Sequence, residues 1–285
     1  MLLSPSVFVL PFKTLGLNLC KVEYEDIRIL ISIDALEEVE INIFCNQYTV
    51  DRAIKEGNVV VDLGSHQGTF TVVASKFLGQ NGLIIAVEPI PLNFDLLLKN
   101  IALNELKNVI PLKRAVYATG KQQEIEMYLP GNMTESASIF LRKTLFSKSN
   151  MRKVPAQTVT MFDILRYIKK LKNQDRINFL KIDIEGYELP LLSFNNRWLS
   201  NVDYIVGEFH TDVYGLVGKK RILETLTKQG FKTGVLKVKI NKMDLLKKWM
   251  CSRLSPNSYG YLLYRTLTCI KPNPINQELF YGEKG

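Results

Sequence analysis

The sequence predicts a doubly wound, Rossmann-like α/β fold: a mostly parallel sheet with helices on both faces and a β-rich extension at the N-terminus. From residue 58 onward, apolar β-branched runs alternate with helix-patterned segments, the rhythm of a parallel sheet crossed over by helices. A glycine-bearing turn joins the first run to its helix. Four runs end on polar groups, at Asp62, at Glu88, at Asp183 and at Glu208-Phe209-His210, where open α/β sheets bind their ligands.

Residues 1–56 read as an accessory segment and 57–285 as the main domain. Ile27–Ile33 and the alternating Val39–Phe44 predict extra strands. Val59-Val60-Val61 predicts a strand buried on both faces, and Phe70, Val73, Ala74, Phe77 and Leu78 follow at helical spacing. Leu83–Val87 predicts the next strand, stopped by Pro89, and Pro91 can open a helix striped with Phe94, Leu97, Leu98 and Ile101. Val109–Leu112 with Ala115-Val116, Phe179–Asp183 and Val202–Phe209 predict further core strands. Glu124–Leu129 reads as extended, and Met151–Val159 leads into a helix near 160–171. Leu216–Gln229 reads as a helix, and Phe231–Ile240 and Tyr259–Thr266 as closing strands.

Thirty-seven Lys and Arg against 28 acids give a formal charge of +9 and a pI near 9.2. That excess favours an anionic partner such as nucleic acid, a phosphorylated carrier or an acidic membrane surface without choosing one. Ile139–Lys153 carries five bases and no acid, and Lys219–Arg253 carries eleven bases against Glu224 and Asp244. Four cysteines without a C-x-x-C pair and only two histidines, His66 and His210, predict neither a zinc site nor a disulfide scaffold, and no metal is expected. The apolar run Val7–Phe12 is interrupted by Pro11 and too short to span a bilayer. No membrane span is expected, and the default is a cytoplasmic enzyme.

Asp62-Leu63-Gly64-Ser65-His66-Gln67-Gly68 places glycines where the backbone must turn sharply and admit a ligand. A dinucleotide site prefers G-x-G-x-x-G; here the spacing is G-x-x-x-G behind an acid, better suited to a cationic ammonium or sulfonium ligand than to a pyrophosphate. Glu88, twenty residues after Gly68, can accept both hydroxyls of an adenosine ribose.

The turn at 59–68, the pair Glu88-Pro89 and Phe179-Leu180-Lys181-Ile182-Asp183-Ile184-Glu185-Gly186-Tyr187-Glu188 together resemble the FkbM family of methyltransferases. The resemblance spans about residues 58–210 and rests most on the K-x-D-x-E-G-x-E element. At His66 the chain departs from the family, where many relatives carry Asn. The resemblance implies a class I, S-adenosylmethionine-dependent methyltransferase acting on a hydroxyl of a sugar, glycan or other small metabolite. It implies cofactor contacts from Asp62, Gly64, Ser65, His66, Gly68, Glu88, Ala115 and Asp183. Methylation of an alcohol needs a general base, and Asp183 and His210 are the candidates. Alternative functions are RNA methylation through the basic surface and non-catalytic nucleotide binding on the same fold. An NAD-dependent oxidoreductase fits the glycine spacing less well.

Overall fold

The computed structural model describes residues 19–44, 46–118, 120, 122–130, 138–139, 151–238, 253–254 and 277–284. Its strands and helices in chain order are β1 (Leu19–Tyr24), β2 (Ile27–Ser32), α1 (Val50–Ala53), β3 (Val59–Leu63), α2 (Thr69–Leu78), β4 (Leu83–Val87), α3 (Pro91–Leu103), β5 (Val109–Leu112), β6 (Ala115–Val116), β7 (Glu124–Pro130), β8 (Met151–Val159), α4 (Met161–Lys172), β9 (Ile177–Ile182), α5 (Glu188–Ser193), β10 (Val202–Glu208), α6 (Thr211–Lys228), β11 (Lys232–Val238), β12 (Arg253–Leu254) and β13 (Gln277–Glu283). No helix among the described residues is long and apolar enough to cross a membrane.

Seven strands form one sheet in the order β11-β13-β10-β9-β3-β4-β5. Only β13 runs antiparallel to its neighbours, and the others are parallel. The order reverses beside β3, so the tips of β3, β4 and β9 open into one crevice. Alternate residues of the central strands feed two cores. Val60, Ile84, Phe179 and Val206 pack with α2 and α3 on one face. Val61, Ile85, Leu180 and Ile205 pack with α4, α5 and α6 on the other. Each such buried side chain contributes about 1.5–3 kcal/mol.

A second sheet, β6-β8-β7, is inserted between β5 and α4. Thr160 caps α4 in a reciprocal box with Asp163. The helix predicted from Leu216 follows a short helical turn from Thr211, and Gly215 at φ 66° kinks the chain between the two. The predicted strand Tyr259–Thr266 lies outside the described residues, as does most of the basic stretch 139–153. The last strand of the sheet, β13, was not foreseen.

The predicted strand Val39–Phe44 is a π-helical turn. Its alternation misleads because the polar positions are buried too: Glu40 and Asn42 are within the protein, and Asn42 Nδ2 donates to Glu38 Oε2 and Thr69 Oγ1. A half-buried strand would have turned those side chains to water.

The β1–β2 hairpin joins the α2/α3 face through its outer edge. Arg28 N–H donates to Asn104 Oδ1 (2.9 Å), Leu30 N–H to Asn100 Oδ1 (2.7 Å) and Ser32 N–H to Gln67 Oε1 (2.9 Å). In return Asn100 Nδ2 donates to Leu30 O and Gln67 O. Side-chain amides one helical turn apart thus stand in for a missing strand and close an edge that would otherwise invite pairing. Asn100→Ala strands Leu30 N–H and two carbonyls, and we expect a stability loss of about 2–3 kcal/mol, read as a lower urea midpoint with unchanged slope.

Candidate active site

Strand register builds the site. Asp62 on β3 and Lys181 on β9 are Cα partners, so both side chains leave the same face of the sheet, and Asp183 follows two residues on. Lys181 Nζ donates to the carbonyl of Gly64 (2.8 Å) and lies 3.3 Å from Asp62 Oδ1 and 3.6 Å from Asp183 Oδ2. The rings of Tyr48 and Phe70 flank the ammonium, with centroids at 5.4 and 5.8 Å. Burial alone would lower the Lys181 pKa, but Asp62 and Asp183 hold it above the usual lysine range. Asp62 is fully buried, and its other oxygen accepts from Thr71 Oγ1.

Above this ion pair the glycine turn closes. Gly64 (φ 77°), His66 (φ 48°) and Gly68 (φ 90°) are all left-handed. A Cβ on Gly64 would sit 1.7 Å from the carbonyl oxygen of Asp183, so only glycine lets the β3 and β9 tips meet. The N–H groups of Gly64 and Ser65 both donate to Val87 O. Glu88 Oε2 accepts from His66 N–H, and Glu88 Oε1 accepts from Ile90 N–H. Burial pushes Glu88 up to about 7 against these hydrogen bonds.

The resulting cleft has a volume of about 630 Å³, counting its open mouth. Of the residues singled out by sequence, Gly64, His66, Glu88, Ala115 and Asp183 line it; Asp62, Ser65, Gly68 and His210 do not. Asp62 is turned beneath the floor onto Lys181. Gly68 faces Leu97, and Ser65 is buried. The remaining wall comes from Val87, Ile90, Arg114, Met127 and Tyr187 among others.

His210 sits behind Asp183. Its Nδ1 is 2.9 Å from Glu188 Oε1, and its Nε2 is 3.5 Å from Glu185 Oε2 and 3.9 Å from Asp183 Oδ1. Burial opposes a charge on the imidazole, yet the carboxylates of Glu188 and Glu185 raise its pKa well above the ordinary range. Glu188, fully buried, also accepts from the N–H groups of Ile184 and Gly186. It ties down the turn through left-handed Glu185 and Gly186.

Tyr48 and Gln47 were invisible in the sequence. The Tyr48 hydroxyl lies 3.0 Å from Glu208 Oε1 and 3.3 Å from Asp183 Oδ2, and Gln47 Nε2 donates to Glu208. The segment before β3 thereby covers the tips of β9 and β10. Burial and the nearby Asp183 push Glu208 up to about 8.

A model of the FkbM methyltransferase domain matches residues 62–233. The chain belongs to the FkbM methyltransferase family. It is a class I methyltransferase, and S-adenosylmethionine is its methyl donor. Methyltransferase sdnD of Sordaria araneosa is 27% identical over 186 residues, 57% of this chain and 71% of that protein. Methyltransferase 1 of Beauveria bassiana is 24% identical over 189 residues, 63% and 74% of the two chains. Among solved structures, a SAM-dependent O-methyltransferase from Thermotoga maritima is similar with a TM-score of 0.45 at 10% identity, over 94% of this chain and 92% of that one.

The cleft of this FkbM chain fits that cofactor. Both ring nitrogens of His66 are buried without a hydrogen bond, and burial lowers its pKa to about 4, so a neutral imidazole is left with polar atoms to satisfy. The glycine backbone admits a ligand where any Cβ would intrude, and the Glu88 carboxylate is fixed in place at the cleft wall.

Lys181→Met leaves Asp62 as a buried carboxylate with no cation. We expect a loss of about 3–5 kcal/mol, seen as a much lower melting temperature. Adding Asp62→Asn should restore part of it; a double variant no more stable than Lys181→Met would refute the pairing.

Proposed function

We propose that this methyltransferase transfers a methyl group to a hydroxyl oxygen of a small metabolite, such as a sugar, held in the cleft at the strand tips, and that it does so in the cytoplasm. The observation that carries this reading is the Asp183 carboxylate, which lines the cleft beside the glycine turn while Lys181 and Tyr48 hold its second oxygen.

Methyl transfer from a sulfonium is an in-line displacement with a neutral leaving group, so most acceleration comes from alignment. Asp183 is assigned the task of taking the proton from the acceptor hydroxyl. His210, one layer back and outside the cleft lining, is assigned the task of holding Asp183 and Glu185 in position. Glu88 is assigned the ribose hydroxyls, with Gly64 and His66 bordering the remainder of the cofactor. Asp62, turned away onto Lys181, acts through the lysine rather than by touching the ligand. Met127, Ala115, Ile139 and Tyr187 supply an apolar wall for the acceptor.

Asp183→Asn should keep S-adenosylhomocysteine affinity within a few-fold and reduce transfer to a hydroxyl acceptor by about 100- to 10,000-fold. Unchanged turnover removes Asp183 as the base. A separate outcome concerns pH. An ionised Glu88 accepts hydroxyl hydrogens and a protonated one does not, so affinity is full above pH 7 and declines as pH falls through about 7. From pH 8 to pH 6 we expect the S-adenosylhomocysteine Kd to rise about tenfold, and Glu88→Gln to bind weakly with no such slope. Calorimetric titrations across that range decide it.

A further inference from the structure

We propose that Asp183, Glu185 and His210 form a binding site for one divalent metal ion of the Mn²⁺ or Mg²⁺ class at the edge of the cleft. One ligand atom from each lies within 4.8 Å of the others. The absence of paired cysteines argues against a structural zinc motif, but it says nothing about a site assembled from the tips of β9 and β10.

The geometry leaves room for an ion on the Nε2 side of the imidazole. Charge-assisted hydrogen bonds close to about 2.7–2.9 Å, whereas His210 Nε2 stays 3.5 Å from Glu185 Oε2 and 3.9 Å from Asp183 Oδ1. Ligands around a six-coordinate ion at about 2.0–2.1 Å stand about 3–4 Å apart, so small side-chain rotations bring these three atoms to bonding distance.

The histidine is oriented as a ligand. It is 92% buried, from a relative exposure of 8%, and Glu188 faces Nδ1 at 2.9 Å. That leaves Nε2 directed between the two carboxylates, and an ion binding there displaces the proton that Glu185 and Glu188 otherwise favour on the imidazole. A carboxylate behind the outer nitrogen of a metal-binding imidazole fixes its tautomer and raises its basicity. Glu188 is fully buried and held by two backbone N–H groups, a rigid support behind the buried Nδ1. Two carboxylates and one imidazole make an oxygen-rich donor set that Mn²⁺ and Mg²⁺ accept.

Asp183 and Glu185 line the cleft, so an ion bound there keeps positions open toward an acceptor. It would lower the pKa of a coordinated hydroxyl and ease the deprotonation proposed above. The binding site itself does not depend on that reading, because it requires neither cofactor nor acceptor.

The test uses the full chain without cofactor and Mn²⁺ alone. Electron paramagnetic resonance should show one saturable equivalent of Mn²⁺ per chain. Glu185→Gln and His210→Gln should each weaken it at least tenfold, and Glu188→Gln by about 10- to 100-fold. S-adenosylhomocysteine binding, measured on the same samples, reports that each variant is folded. A second measurement needs no substitution: with ¹⁵N-labelled histidine, the chain has only His66 and His210 to observe, and Mn²⁺ should broaden the His210 ring first. No saturable binding at millimolar Mn²⁺, binding indifferent to the substitutions, or broadening confined to His66 would overturn the metal site. Each of these with intact S-adenosylhomocysteine affinity leaves the methyltransferase reading standing.

Discussion

A single ammonium group joins the parts of this site. Lys181 is buried in the sheet between Asp62 and Asp183 and donates to the Gly64 carbonyl, so three strand-tip features share one cation. Neither carboxylate can be withdrawn without leaving charge in a medium that solvates it poorly. The glycine turn is fixed from below by the lysine and from the side by Val87 and Glu88. Asp183 meets Gly64 so closely that a methyl group could not intervene. Preorganisation of this kind suits a reaction whose main demand is alignment.

Global and local charge point in opposite directions. The chain carries a formal +9, yet the cleft is lined by Glu38, Glu88, Asp183 and Glu185 against Arg114. Behind them lie Glu188 and Glu208. Burial and the charge of Asp183 raise Glu208, and the surrounding carboxylates favour positive charge on His210 and Lys181. The site itself attracts cations, as a sulfonium donor requires. Net charge therefore does not identify the acceptor: the basic excess is elsewhere on the chain, and the composition alone suggests a polyanion that the cleft does not favour.

Most of the core was legible because its signals are local. Val59-Val60-Val61 is buried on both faces and reads as such, and Pro91 starts α3 where its missing N–H costs nothing. Glu88 and Asp183 mark strand tips because apolar runs stop there. What stayed hidden depends on long-range partners. Nothing near Asn100 announces that its amide will dock on β2, seventy residues away, and nothing near Tyr48 points to Glu208. Val39–Phe44 shows the reverse error, a local alternation overruled by burial of its polar positions. Asp62 was legible as a site residue by its place in the motif, but the motif does not show that cross-strand register turns it onto Lys181.

The inserted sheet supplies the wall of the cleft that faces the glycine turn. One side of the cleft is built from the tips of β3, β4 and β9, whose positions are set by the parallel register and by Gly64, where a Cβ would meet the Asp183 carbonyl. The opposite wall draws Ala115 and Val116 from β6, Met127 from β7 and Ile139 beyond it, together with Tyr187, whose ring stacks on Tyr117. Met127, Leu129 and Ala156 form a small core of their own with Ile90. Side chains there can change size without disturbing the Lys181 cluster. The strand-tip side of the cleft is thus constrained by buried charge and the inserted side only by packing.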